Sequence, residues 1–306
     1  MARVANVRHK LGSILDSARE QTLMAPAARV FNRRRWLAIC AATACGTLAL
    51  RPHTAAAEAR ADEADTSDRA RDQALSVLPL DQLTAESRRK IMAVCESPSI
   101  YRRLPQKTID CDPELYRFLI RNPEVVVNIW QLMGVVNMVA ERIGPYAWKG
   151  DDSTGTRCEA ELIYGTDNLH VLYCDGYYEG SLLKRKTTGR CVLILQSGYG
   201  QDTARRPLVG SRLDVFLQLD NVGADLIART FSPWVGKVAD SNFAESCKFA
   251  AKVSQTAESN GPGMQRLADK LTNCQPDVRE GFARVSSGVQ ERAAQRLTAD
   301  PAVKQR

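Results

Sequence analysis

The sequence predicts an α+β fold: an antiparallel sheet with two short helices before it and one long helix after it. Three observations predict this. Asp112-Pro113-Glu114, Asn122-Pro123-Glu124 and Ser232-Pro233-Trp234 each set a capping side chain before a proline. The cap accepts an orphan N–H, and proline at the first helical position has none to lose. Between the second and third of these starts, the hydrophobic period changes to two. After Ser232 it changes back, and Val235, Ala239, Phe243, Cys247, Ala250 and Val253 recur every three or four residues as one stripe.

In chain order, residues 1–57 read as an export leader. They carry nine Lys/Arg against two acids, which accounts for the whole formal charge of +7. The remainder is balanced, so the basic character supplies no lasting surface for nucleic acid. Trp36–Leu50 is a run of 15 mostly apolar residues behind Arg33-Arg34-Arg35, followed by Ala55-Ala56-Ala57. It is short for a membrane span, which needs about 20 apolar residues. A basic segment, a short apolar run and an A-x-A-like site together read as a secretory signal cut after Ala57. An uncleaved N-terminal anchor is the alternative. Asn32-Arg33-Arg34-Arg35-Trp36-Leu37 resembles a twin-arginine export signal. The expected location is therefore outside the cytoplasm, periplasmic or envelope-associated.

Residues 58–105 read as a linker and a short helix. The 58–74 stretch alternates acid, Arg and Ala without an apolar stripe, as a solvated linker or frayed helix would. Thr84 then caps a helix to Cys95. Residues 106–258 carry the main domain. Pro113–Arg121 and Pro123–Met133 are its short helices. Gly134–Ile143, Tyr146–Trp148, Thr156–Tyr164, Leu169–Tyr178, Cys191–Ser197, Arg212–Asp220 and Asp225–Phe231 are candidate strands, six or seven in all. Gly165-Thr166-Asp167-Asn168 is a strong hairpin turn. The long helix runs from about Pro233 to Glu258. Residues 259–306 form a helical tail, either a docked pair or an exposed appendage.

This order of elements, from about Gln106 to Gln255, resembles the START-like superfamily, with its polyketide-cyclase-like and Bet-v-1-like members. The resemblance is carried by Pro113–Met133, the hairpins at Gly165–Asn168 and Arg212–Phe231, and the helix from Ser232. It covers about half the chain and is a likeness of architecture, with no diagnostic motif. What it implies is a helix-grip fold, a curved sheet wrapped on its last helix, and a cavity between them for an apolar small molecule or lipid. No catalytic residue transfers with it.

The residue types narrow the chemistry. Of three histidines, His9 and His53 lie in the leader, which leaves His170 in the body. One histidine builds no multi-His metal site, and no C-x-x-C suggests a zinc or redox pair. No metal or cofactor is expected. With a hairpin centred on Thr166, His170 opposes Leu162, Ala160 opposes Leu172, Cys158 opposes Cys174, and Tyr164 shares their face. The expected ligand-binding residues are therefore His170, Leu172, Leu162 and Tyr164, with Phe243 and Trp234 from the long helix. Glu159 and Glu161 alternate with apolar residues and read as the wet face of a strand. Lys184-Arg185-Lys186 is a solvated basic turn or a contact to anionic headgroups. The expected function is binding and carriage of a hydrophobic ligand. The alternatives are an enzyme on the same fold using His170, cyclase- or hydrolase-like, and an envelope interaction protein whose tail binds a partner.

Overall fold

The computed structural model describes residues 63–180, 185–220, 222–223 and 232–299. The leader and the candidate strand Asp225–Phe231 lie outside the described residues. Helices are α1 Asp68–Ser76, α2 Ala85–Cys95, α3 Pro113–Arg121, α4 Pro123–Leu132, α5 Ser232–Ser259, α6 Gly261–Lys270 and α7 Pro276–Ala299. Strands are β1 Ile100–Arg103, β2 Lys107–Asp110, β3 Val139–Gly144, β4 Ala147–Asp151, β5 Thr156–Gly165, β6 Leu169–Tyr178, β7 Thr187–Gln201 and β8 Pro207–Leu219.

Among the described residues the strands make one curved, unclosed antiparallel sheet of eight, in the order β1-β8-β7-β6-β5-β4-β3 with β2 also on β8. The six or seven expected strands are thus corrected. β1 and β2 pair successive stretches of β8, Ile100 with Leu217 and Ile109 with Val209, as two halves of one edge. Each half is only four residues long, too short to show a period, so alternation did not reveal them. From β3 to β8 the chain meanders. Helices α3 and α4 lead directly into the meander, and the long α5 follows it.

Capping explains the helix starts. The Asp112 carboxylate accepts from the Glu114 and Leu115 amides at 2.9 and 3.1 Å. Thr84 caps α2 by accepting from Ser87 N. Asn122 behaves differently from expectation and does not cap α4 through its side chain. Its Nδ2 donates to the Phe118 carbonyl at 2.8 Å, and its Oδ1 accepts from Arg142. The orphan carbonyl at the end of α3 is satisfied instead.

Two cores lie on the two faces. The inner face carries Leu193, Leu195, Val209, Leu213 and Val215 against α3, α4 and α5. The α5 stripe is buried as its period predicts, through Ala239, Phe243, Cys247, Ala250 and Val253; the Val235 side chain lies outside the described residues. The outer face carries Tyr101, Val171, Tyr173, Val192, Ile194 and Phe216 against α1 and α2. The stretch read as a solvated linker or frayed helix includes a packed helix, α1, that buries Ala70 and Ala74. Its small i, i+4 alanines give little amphipathic signal but allow close approach.

The tail is a docked helical pair. Met264, Leu271, Val278, Phe282 and Val289 join the inner core, and Phe282 packs on Phe118 with ring centroids 6.1 Å apart. Arg292 grips the buried Asp112 through two hydrogen bonds of 2.8 and 2.9 Å. No described helix is long and apolar enough to cross a membrane.

Candidate functional site: the inner face beside His170

The β5–β6 hairpin decides which predicted residues meet. Leu162 pairs with Leu172, and a bulge between Leu162 and Tyr164 then shifts the register, so Tyr164 pairs with Val171 and Gly165 with His170. The expected register is corrected by two residues plus the bulge. Leu162, His170 and Leu172 stay on one face because the two-residue shift preserves parity and the bulge begins only after Leu162. Tyr164 does not. The bulge turns it to the outer face, where it packs in the second core and its hydroxyl donates to Gln82 Oε1 at 2.9 Å. Cys158 lies opposite Gly176, whereas Cys174 faces Ala160 and Cys191. The expected Cys158–Cys174 opposition is therefore corrected as well.

His170 is fully buried. Arg121 at the end of α3 donates from Nε to His170 Nε2 at 3.1 Å, and its other nitrogen reaches the Thr166 carbonyl at 2.9 Å. Burial first, and the Arg121 charge second, lower the imidazole pKa to about 4. The ring is therefore neutral near pH 7. With Nε2 accepting, its proton sits on Nδ1. Nδ1 has no hydrogen-bond partner among the described residues.

An apolar strip runs beside this ring. On the inner face Leu172 pairs with Leu193, Cys174 with Cys191, and Leu195 with Leu213. Leu172, Cys174, Cys191, Leu193 and Leu213 are half-buried, while Leu162, Leu195 and Val215 at their margins are buried. No known family model matches the sequence, and no curated protein is significantly similar to it. The chemistry of this face must be read from its own residues.

Sequence reasoning missed four of them. Tyr116 from α3 and Ser211 from β8 share a hydrogen bond of 2.7 Å, both buried. Ser197 lies directly opposite Ser211. Its Oγ is near the Tyr116 hydroxyl but completes no hydrogen bond of regular geometry. The signal was present: Cys191, Leu193, Leu195, Ser197 and Tyr199 alternate onto one face. Arg121 carried no signal, since only the packing of α3 brings it to His170.

Phe243, on α5, is buried in the same inner core that Cys191, Leu193 and Leu213 pack against. Trp234 is in α5, but its side chain lies outside the described residues. Trp148 and Glu124 form a structural clamp. The indole donates to Glu124 Oε2 at 2.7 Å, and Arg142 binds the same carboxylate and stacks 4.9 Å from the indole. Glu159 and Glu161 pair with Lys149 and Lys90, as a wet face should. Lys186 stands 3.6 Å over the Tyr177 ring; Lys184 lies outside the described residues.

A separate open cleft of about 1140 Å³ lies between α3, the β7–β8 turn and α7. It is the wrong environment for an apolar ligand. Its lining includes Asp112, Glu114, Arg117, Arg292 and Arg296. Those arginines are already paired with Asp112, Glu114, Asp167 and Glu258. No cluster of metal-ligating side chains occurs among the described residues.

Proposed function

We propose that this protein binds an apolar small molecule or lipid on the inner face of its sheet, under α5, after export from the cytoplasm. The observation that carries the reading is the half-buried strip Leu172, Cys174, Cys191, Leu193 and Leu213. A closed apolar core buries such residues fully, whereas a ligand surface leaves them partly accessible between buried margins. The element order supports it. An edge strand, two helices, a six-strand meander and a long helix follow the helix-grip layout of START-like proteins. Fold alone does not give function, so the strip carries more weight than the likeness.

The enzyme alternative is weaker. A general base needs a free, basic lone pair near the operating pH. The His170 lone pair on Nε2 is engaged by Arg121, and the ring's pKa is lowered to about 4. Ser197 beside it gains no base, because the neighbouring Nδ1 holds a proton.

The test is fluorescence of N-phenyl-1-naphthylamine with the purified chain, together with native mass spectrometry of protein never exposed to detergent. Saturable enhancement that is lost in Leu193→Glu supports the reading. Absence of both dye binding and co-purified apolar molecules would overturn it in favour of an interaction protein without ligand.

A further inference from the structure

Two buried polar groups occupy diagonal positions on adjacent strands of the inner face. His170 opposes Leu195 on β7, and Ser197 lies two residues further along the same face. The imidazole and the hydroxyl are therefore diagonal neighbours on adjacent strands. The Cδ2–Nε2 edge of the ring lies against Gly165 on β5, so Nδ1 is on the ring's other edge. Both His170 Nδ1 and Ser197 Oγ are buried; among the described residues Nδ1 has no hydrogen-bond partner, and Ser197 Oγ has only the nearby Tyr116 hydroxyl, with which it completes no bond of regular geometry. Native proteins seldom leave such groups unpaired without a role. Here both adjoin the apolar strip, with Leu172 two residues from His170 and Leu195 two residues from Ser197.

We propose that His170 and Ser197 jointly hold one oxygen atom of the ligand, and that this oxygen belongs to a neutral carbonyl or hydroxyl group at the end of an apolar body. The assignment rests on the apolar-binding reading above and specifies its ligand. The donor is the Nδ1–H of a neutral ring, and the Ser197 hydroxyl rotates to donate or accept. A carboxylate is disfavoured because the cations beside the ring are already committed. Arg121 bonds His170 Nε2 and the Thr166 carbonyl, and both Arg121 and Arg117 reach Asp167, at 3.9 and 3.5 Å. An anion buried against neutral donors alone is costly. The Tyr116–Ser211 bond holds the floor of the site in place beside Ser197.

The test compares probes of matched chain length by displacement of N-phenyl-1-naphthylamine: tridecane, 2-tridecanone and tridecanoic acid. The ketone should bind about ten-fold more tightly than the alkane, the worth of one good buried hydrogen bond. His170→Phe and Ser197→Ala should each remove most of that advantage. Ser197→Ala deletes a single oxygen, so it keeps the test open if His170→Phe fails to fold by circular dichroism. Equal binding of ketone and alkane would overturn the proposal and mean that the pair holds water only. So would a ketone advantage that survives Ser197→Ala. Tightest binding of the acid would overturn the neutral-oxygen assignment. If the dye and all three probes fail to bind, the apolar-binding reading itself fails, and this proposal with it.

Discussion

Arg121 and His170 share one hydrogen bond, Nε to Nε2 at 3.1 Å, between the last residue of α3 and the second of β6. A guanidinium cannot accept, so the bond fixes the imidazole as neutral with its proton on the far nitrogen. The only histidine of the protein's body is thereby converted from a titrating group into a buried donor.

The pairing makes stability fall with acidity. The unfolded histidine titrates near its ordinary value of 6.5, and the folded one, lowered by burial and by Arg121, near about 4. Between these values the unfolded chain binds the proton and the native chain does not, so unfolding gains as pH falls. Arg121, Arg117 and Asp167 are the charges acting on the ring. The loss should amount to roughly 3 kcal/mol from pH 7 to 4 and then saturate. Urea midpoints measured across that range should slope in the wild type and flatten in His170→Phe. Equal slopes in both would sink the assignment.

Phe243 is 9 % exposed and sits with Ala239, Cys247 and Ala250 in the inner core. Phe243→Ala should cost about 3–5 kcal/mol in denaturant unfolding. Dye affinity should change less than stability, since the ring is itself buried in that core. A small stability loss with a large affinity loss would instead place Phe243 against the ligand.

The tail should be part of the cooperative unit. Asp112 is 2 % exposed and depends on Arg292, which is itself partly exposed, so the pair is screened on one side. Arg292→Ala should destabilise the protein by about 1–3 kcal/mol, less than for a fully buried pair. A separate early transition for the tail in thermal melts, with the main transition unmoved, would contradict its docking.

Thiol reactivity should divide the cysteines. Burial pushes the thiols of Cys95, Cys111, Cys247 and Cys274 up to about 12, so they remain protonated at pH 8. Burial raises the Cys158 thiol as well, so peptide mapping after brief alkylation should find label on the half-buried Cys174 and Cys191 first. Saturating 2-tridecanone should slow labelling at Cys174 and Cys191. Labelling of Cys111 at a comparable rate would be inconsistent with its burial.

The leader has its own check. N-terminal sequencing of the natural protein should begin near Glu58, from the series of arginines, apolar run and Ala55-Ala56-Ala57. An intact N-terminus in the membrane fraction would favour the anchor; an intact one in the cytoplasm would end the export proposal.

The amino-acid sequence by itself determined the features that depend on neighbours in the chain. Asp112 and Thr84 cap their helices from a few residues away. The α5 stripe follows from the helical period, and β6 begins at Leu169 and ends at Tyr178 as its alternation and flanking turn require. Tertiary structure decided what depends on distant segments. β1 and β2 are strands only because β8 lies beside them, and α1 is a packed helix because the outer face of the sheet accepts Ala70 and Ala74. The Leu162–Tyr164 bulge sent Tyr164 to the opposite face, since one added residue in a strand inverts all that follows it. The His170–Ser197 pair, with Arg121 behind it, joins residues up to 76 positions apart, from Arg121 to Ser197. Local pattern gives the face of a side chain only until a bulge intervenes, as at Tyr164. Only the closing of the sheet against α3 decides which buried groups then lack a partner, because hydrogen-bond satisfaction is a property of assembled neighbours and not of period.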